Sequence, residues 1–162
     1  MNMPTIRPQP IKTKNESLII RILRWIFAVR KWVLTADWTY TMRDGTKIVI
    51  PKGFEFDGAS IPRPLWAIFS PTGLLFLPGL IHDYAYKYDQ LIGIDENGKR
   101  YAYKAGAGKS YWDRVFRETG IDINGVAIID TLAWLALALG GWYTWKQHRK
   151  TNAQPVIEQV VE

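Results

Sequence analysis

Residues 78–104, PGLIHDYAYKYDQLIGIDENGKRYAYK, decide the fold class. The first half, residues 78–90, predicts a helix, because Pro78 suits a first turn where its missing N–H has no partner to lose. The second half, residues 91–104, predicts a β-hairpin with Asn97-Gly98 as its turn. Upstream, residues 32–56 read as strands, with Arg43-Asp44-Gly45 as a turn and Lys47–Ile50 running into Pro51-Lys52-Gly53. Downstream, a glycine-rich link at residues 105–109 leads to a helix at 110–118 that carries Asp113, with Gly120 as its stop signal. A last long helix is expected over 122–148. The sum is an α+β fold: a small N-terminal β region followed by three helices interrupted by a β-hairpin.

The segments outside this frame differ in character. Residues 1–15, with Pro4, Pro8 and Pro10, read as a flexible arm. Residues 16–31 predict an amphipathic helix with Arg21, Arg24 and Lys31 on one stripe, suited to a membrane surface, a partner groove or its own domain. It makes a poor secretory signal, because two arginines interrupt the apolar stretch and no small-residue cleavage site follows. The division is therefore a basic arm and helix at 1–31, one α+β domain at 32–150 and a flexible tail at 151–162.

The 20 residues from Val126 to Trp145 hold few polar side chains and would reach across a bilayer at about 1.5 Å per residue. Insertion is close to balanced, since Asp130 costs up to about 3 kcal/mol near the centre and strong apolar residues return about 0.3 to 0.6 kcal/mol each. A helix buried inside the domain is the expectation.

Composition narrows the chemistry. A chain of 162 residues can bury enough surface for a core without staples. The absence of cysteine excludes disulfides, thiolate metal sites and a cysteine nucleophile, while leaving the compartment open. Residues 1–31 hold seven basic residues against Glu16 alone, so the arm carries the chain's net +6 and attracts anionic surfaces. Aromatic and basic residues do not interleave on a strand platform, which argues against nucleic acid as the partner. Most of the eight tryptophans are expected in the core.

Only two histidines occur, and His148 lies in a basic tail where solvent is expected. His82 is therefore the candidate for imidazole chemistry. On a helix, His82 and Tyr86 share a face and Asp83 lies about 100° further round. Asp113, from the following helix, is placed to orient the ring. Such a pair can work as a hydrolytic base, because neutral imidazole accepts a proton near pH 7 and a carboxylate on its far nitrogen fixes the tautomer. Ser60 adds a second version, a Ser60–His82–Asp113 triad, without the Gly-x-Ser-x-Gly elbow. The same groups suit a structural role, in which His82 and Asp83 bond to the Asp57–Arg63 loop. Pairing of Arg63 or Arg114 with Asp57 or Asp113 would favour that role. Gly108-Lys109-Ser110 matches the end of a phosphate-binding loop, but Tyr103 stands where its first glycine belongs.

Pro51-Lys52-Gly53-Phe54, Phe56-Asp57-Gly58-Ala59-Ser60-Ile61-Pro62-Arg63, Leu65-Trp66, Leu80–Tyr86, Trp112–Phe116 and Leu139-Gly140-Gly141 together resemble a family common in phages and prophages, the domain of unknown function 1353. The resemblance implies a phage-type protein of unassigned activity, in the host cytoplasm, at a membrane or in the virion. More distantly, His-Asp-x-x-Tyr, hairpin and Asp-x-x-Phe in that order are similar to the phospholipase A2 core. That similarity implies His82 as general base, Asp113 as its orienting acid, Asp83 as a calcium ligand and Tyr86 as support. Asp57 stands in for the calcium loop, whose glycine- and cysteine-rich sequence is absent; Ser60 and Arg63 complete the surroundings. The expectation is an ester hydrolase, with lipid as one substrate class; the alternative is a non-catalytic phage component that binds an anionic membrane or other phage proteins.

Overall fold

The computed structural model describes residues 2–10, 17–20, 31–57, 73–151 and 155. Apart from a helical stretch at 18–20, its elements in chain order are β1 (Ile6–Pro8), β2 (Trp32–Leu34), β3 (Trp38–Thr41), β4 (Lys47–Ile50), β5 (Glu55–Phe56), α1 (Phe76–Tyr88), β6 (Leu91–Ile94), β7 (Arg100–Tyr103), α2 (Lys109–Asn124), α3 (Ala127–Gly140) and α4 (Trp142–Thr151). The fold is mixed α+β, as its hydrophobic patterning implies.

Among the described residues two antiparallel sheets form, ordered β1-β2-β5 and β3-β4-β6-β7. The turns follow the residues that favour them. Gly45 takes φ +86° between β3 and β4, and Gly98 takes φ +78° between β6 and β7. Asp44 and Asp95 brace these turns by accepting the backbone N–H of Thr46 and of Asn97 and Lys99. The β-branched Ile48, Val49, Ile50 and Ile92 pack into one core cluster with Leu80, Ile81, Tyr84 and Ala85 of α1. Burial covers ten of the thirteen residues of α1, which makes it the central helix.

Four expectations are corrected. The first arm residues are not all loose: β1 pairs with β2, Thr35 N–H donates to Thr5 O at 2.9 Å and Trp38 Nε1 to Asn2 O at 2.8 Å. Gly120 does not stop its helix. It lies inside α2, where a Cβ would come within 2.2 Å of Asp130 Oδ1, so the glycine makes room for a packed carboxylate. Gly125, at φ +67°, is the actual terminator.

The expected helix over 122–148 is two helices, α3 and α4, bent by 61° at Gly141. No single helix among the described residues is long and apolar enough to cross a membrane. Nor is α3 buried as expected, since Asp130 is its one buried residue. It contacts α2 through that carboxylate and through Arg117 Nε, which donates to Thr131 Oγ1 at 3.0 Å. Leu132, Leu135 and Leu139 turn outward. Among the tryptophans, Trp38, Trp112 and Trp145 are buried and Trp142 is exposed, while Trp25 and Trp66 lie outside the described residues.

Candidate functional site

α1 and α2 pack side by side, and each contributes two polar residues one turn apart: His82 and Tyr86, Lys109 and Asp113. The pairs converge on the Asp113 carboxylate. His82 Nε2 lies 3.1 Å from Asp113 Oδ1, and the Tyr86 hydroxyl donates to the same oxygen. Lys109 Nζ donates to Oδ2 at 2.6 Å. Asp113 thus meets the imidazole as expected, within hydrogen-bond reach. The ring is also enclosed: His82 is 4% exposed, with Tyr86 centred 3.9 Å and Phe116 5.4 Å from it.

Lys109 was not foreseen as part of this cluster. Besides Asp113, its ammonium donates to the backbone oxygens of Leu137 at 2.9 Å and Ala138 at 3.4 Å in the last turn of α3, where Leu137 O also accepts from Gly141 N–H at 2.8 Å. It is buried, so it is neither a linker residue nor a phosphate ligand in solvent. The signal was available: Lys109 and Asp113 stand at i and i+4, the spacing of an ion pair along a helix. Gly141 closes the same corner, because a Cβ there would lie 2.7 Å from the Tyr86 hydroxyl and 2.6 Å from Leu137 O.

Electrostatics assigns the charges. Burial alone would raise the Asp113 pKa, but hydrogen bonds from His82, Lys109 and Tyr86 outweigh it and hold the acid below its ordinary value. Burial lowers the His82 pKa and wins over the opposing pull of Asp113. Burial and the bond to Asp113 raise the Tyr86 phenol, keeping it a donor. At neutral pH the cluster therefore holds an ionised Asp113 and a neutral imidazole. A carboxylate facing Nε2 requires the proton there, which leaves the lone pair on Nδ1.

Asp83 lies beside Asp57, the residue that follows β5. Burial raises the Asp83 pKa well above its ordinary value, and the charge and hydrogen bond of Asp57 raise it further. Asp83 Oδ2 is buried without a hydrogen-bond partner among the described residues. Two crowded carboxyl groups with an orphaned oxygen fit the donor chemistry of a hard divalent cation such as calcium. No group of three or more His, Asp or Glu placed to share a metal occurs among the described residues, so further oxygens would have to come from backbone or water. Ser60 and Arg63 lie outside the described residues, and Arg114 is exposed. His148, expected in solvent, is half-buried.

Asp89 and Arg149 fix the end of α1 beside the site. Asp89 takes φ +53° and accepts from Trp112 Nε1 at 2.7 Å and Gly108 N–H at 2.9 Å. Arg149 of α4 pairs with Asp89 and donates to the Tyr86 and Lys87 carbonyls at 2.7 and 2.9 Å, satisfying orphan acceptors of the last turn.

Residues 32–137 match the family described as "Protein of unknown function (DUF1353)", and the chain belongs to that family. The match runs from β2 into α3 and includes His82, Tyr86, Lys109 and Asp113. No curated protein and no solved structure matches the chain.

Proposed function

We propose that this member of the family is a hydrolase of carboxylic esters, with lipid esters as the substrate class and His82 as general base. The observation that carries the reading is the 3.1 Å approach of His82 Nε2 to Asp113 Oδ1, with Tyr86 and Lys109 securing the carboxylate. Asp113 holds the imidazole with its proton on Nε2 and stabilises the cation that forms when Nδ1 accepts a proton. That proton comes from a water molecule, whose oxygen attacks the ester carbonyl. The imidazolium then returns the proton to the departing alkoxide, so acid and alcohol are released and His82 is neutral again. Asp83 and Asp57 would hold a divalent cation, which when bound supplies positive charge to an oxyanion. The likeness of His-Asp-x-x-Tyr and Asp113 to the phospholipase A2 core supports the same assignment.

The enclosure of the ring supports a second reading, a non-catalytic polar core in which Asp113 ties α1, α2 and α3 together. Titration of acid released from phosphatidylglycerol vesicles and from a soluble short-chain ester, with calcium and with chelator, separates the two. Calcium-dependent release of fatty acid is expected. Absence of release from every ester under both conditions leaves the structural reading.

A further inference from the structure

The outward side of α3 is apolar from end to end. Ile128, Leu132, Leu135 and Leu139 follow at steps of four, three and four, which places them on one stripe, and all four are exposed. Ile128 is 71% and Leu139 83% exposed. The only charged residue of α3, Asp130, is fully buried against Gly120 and Asn124, so no charge breaks the outer face of this 14-residue helix. At the bend the stripe continues into Trp142 and Tyr143, 52% and 74% exposed. An uninterrupted apolar surface of this kind marks a contact.

We infer that the α3–α4 elbow is a docking surface for an anionic lipid bilayer. Three observations select this occupant over a second copy of the chain. First, the stripe lacks the flanking charges that set register and orientation when two apolar helix stripes pair. Second, the aromatic residues stand at one end of the apolar stripe, where amphipathic rings occupy the headgroup level of a membrane. Third, exposed basic residues follow just beyond them. Lys146 and Lys150 are exposed, and Trp142, Lys146 and Lys150 succeed each other at four-residue steps on α4, so ring and ammoniums share a side. Leucines in the acyl boundary, rings at the headgroups and lysines on the phosphates follow in that order. The 61° bend lets α3 lie along the surface while α4 returns to α1, where Arg149 and Trp145 anchor it.

This inference is independent of the hydrolytic reading, since it concerns binding alone. Its test is flotation of the full chain with phosphatidylglycerol vesicles and with phosphatidylcholine vesicles, together with light scattering of the chain in solution. The wild type is expected to float with phosphatidylglycerol, more weakly with phosphatidylcholine, and less as salt rises. Leu135→Gln with Leu139→Gln should cut the bound fraction by about tenfold or more. Lys146→Gln with Lys150→Gln should remove the preference for the anionic lipid. Far-ultraviolet circular dichroism checks that each variant keeps its helix content. Failure of the wild type to float with either vesicle, or unchanged flotation of the folded leucine variant, overturns the inference. So does a dimer that the leucine substitutions dissolve.

Discussion

Lys109 Nζ lies 2.6 Å from Asp113 Oδ2, one turn away on α2, and the same ammonium caps the carbonyls of Leu137 and Ala138. One buried cation thus joins the carboxylate that faces His82 to the end of the neighbouring helix. It uses the oxygen that His82 and Tyr86 leave, so ion pairing and orientation of the imidazole coexist on one acid.

Removing one side of such a pair strands the other. Lys109→Met should therefore destabilise the chain by about 3–5 kcal/mol, because an ionised Asp113 loses its compensating charge in a buried setting. Lys109→Met combined with Asp113→Asn should recover part of that loss. A double-mutant cycle by chemical denaturation measures the coupling; additive effects would contradict the geometry.

Gly120 and Asp130 give a test of opposite sign to helix propensity. Alanine in place of glycine inside a helix ordinarily gains about 1 kcal/mol. Here the new Cβ would lie 2.2 Å from Asp130 Oδ1, and overpacking of this kind costs about 1–3 kcal/mol. Gly120→Ala should lower the thermal midpoint, and adding Asp130→Ala should restore much of it.

Asp130 also predicts a pH dependence. Burial raises its pKa above the ordinary 3.8, outweighing the opposing bond from Asn124 and charge of Arg117. A carboxyl whose pKa is higher folded than unfolded contributes its full stability below the unfolded value and loses it as pH rises through the folded one. Asp130→Asn removes that loss. The variant should match the wild type well below pH 3.8 and exceed it increasingly as pH rises through the folded value, read as the midpoint difference across a pH series.

The Asp57–Asp83 pair separates a cation site from a strained acid pair without any assay of turnover. Asp83→Asn should raise the midpoint at neutral pH without added metal, by about 2–4 °C for about 1 kcal/mol of relief. Calcium at about a hundredfold excess over its dissociation constant should stabilise the wild type by about 2.7 kcal/mol. The variant should lose that response. Calcium stabilising both proteins equally would remove these two residues from any cation site.

How much of this was written in the chain varies with the kind of information. The helix–hairpin unit was legible, because Pro78 and Asn97-Gly98 act through local backbone geometry. The meeting of His82 with Asp113 was legible because each sits on a helix whose face is fixed by its period. Lys109 was hidden by a glycine-rich neighbourhood that reads as linker, although its spacing to Asp113 was a usable signal. The roles of Gly120 and Gly141 could not be read locally. Both depend on a side chain arriving from elsewhere, Asp130 in one case and Tyr86 with Lys109 in the other. The exposure of α3 escaped for a related reason: apolar composition states a preference for leaving water and does not say whether protein or lipid receives the helix.

We propose His82, oriented by Asp113, as the base of an ester hydrolase. The most direct measurement is the initial rate of fatty acid release from phosphatidylglycerol vesicles by the wild type, His82→Gln and Asp113→Asn, each shown to be folded. The rate is expected to fall about 10²- to 10⁴-fold in His82→Gln and by a smaller factor in Asp113→Asn. A folded His82→Gln that releases fatty acid at the wild-type rate would contradict it.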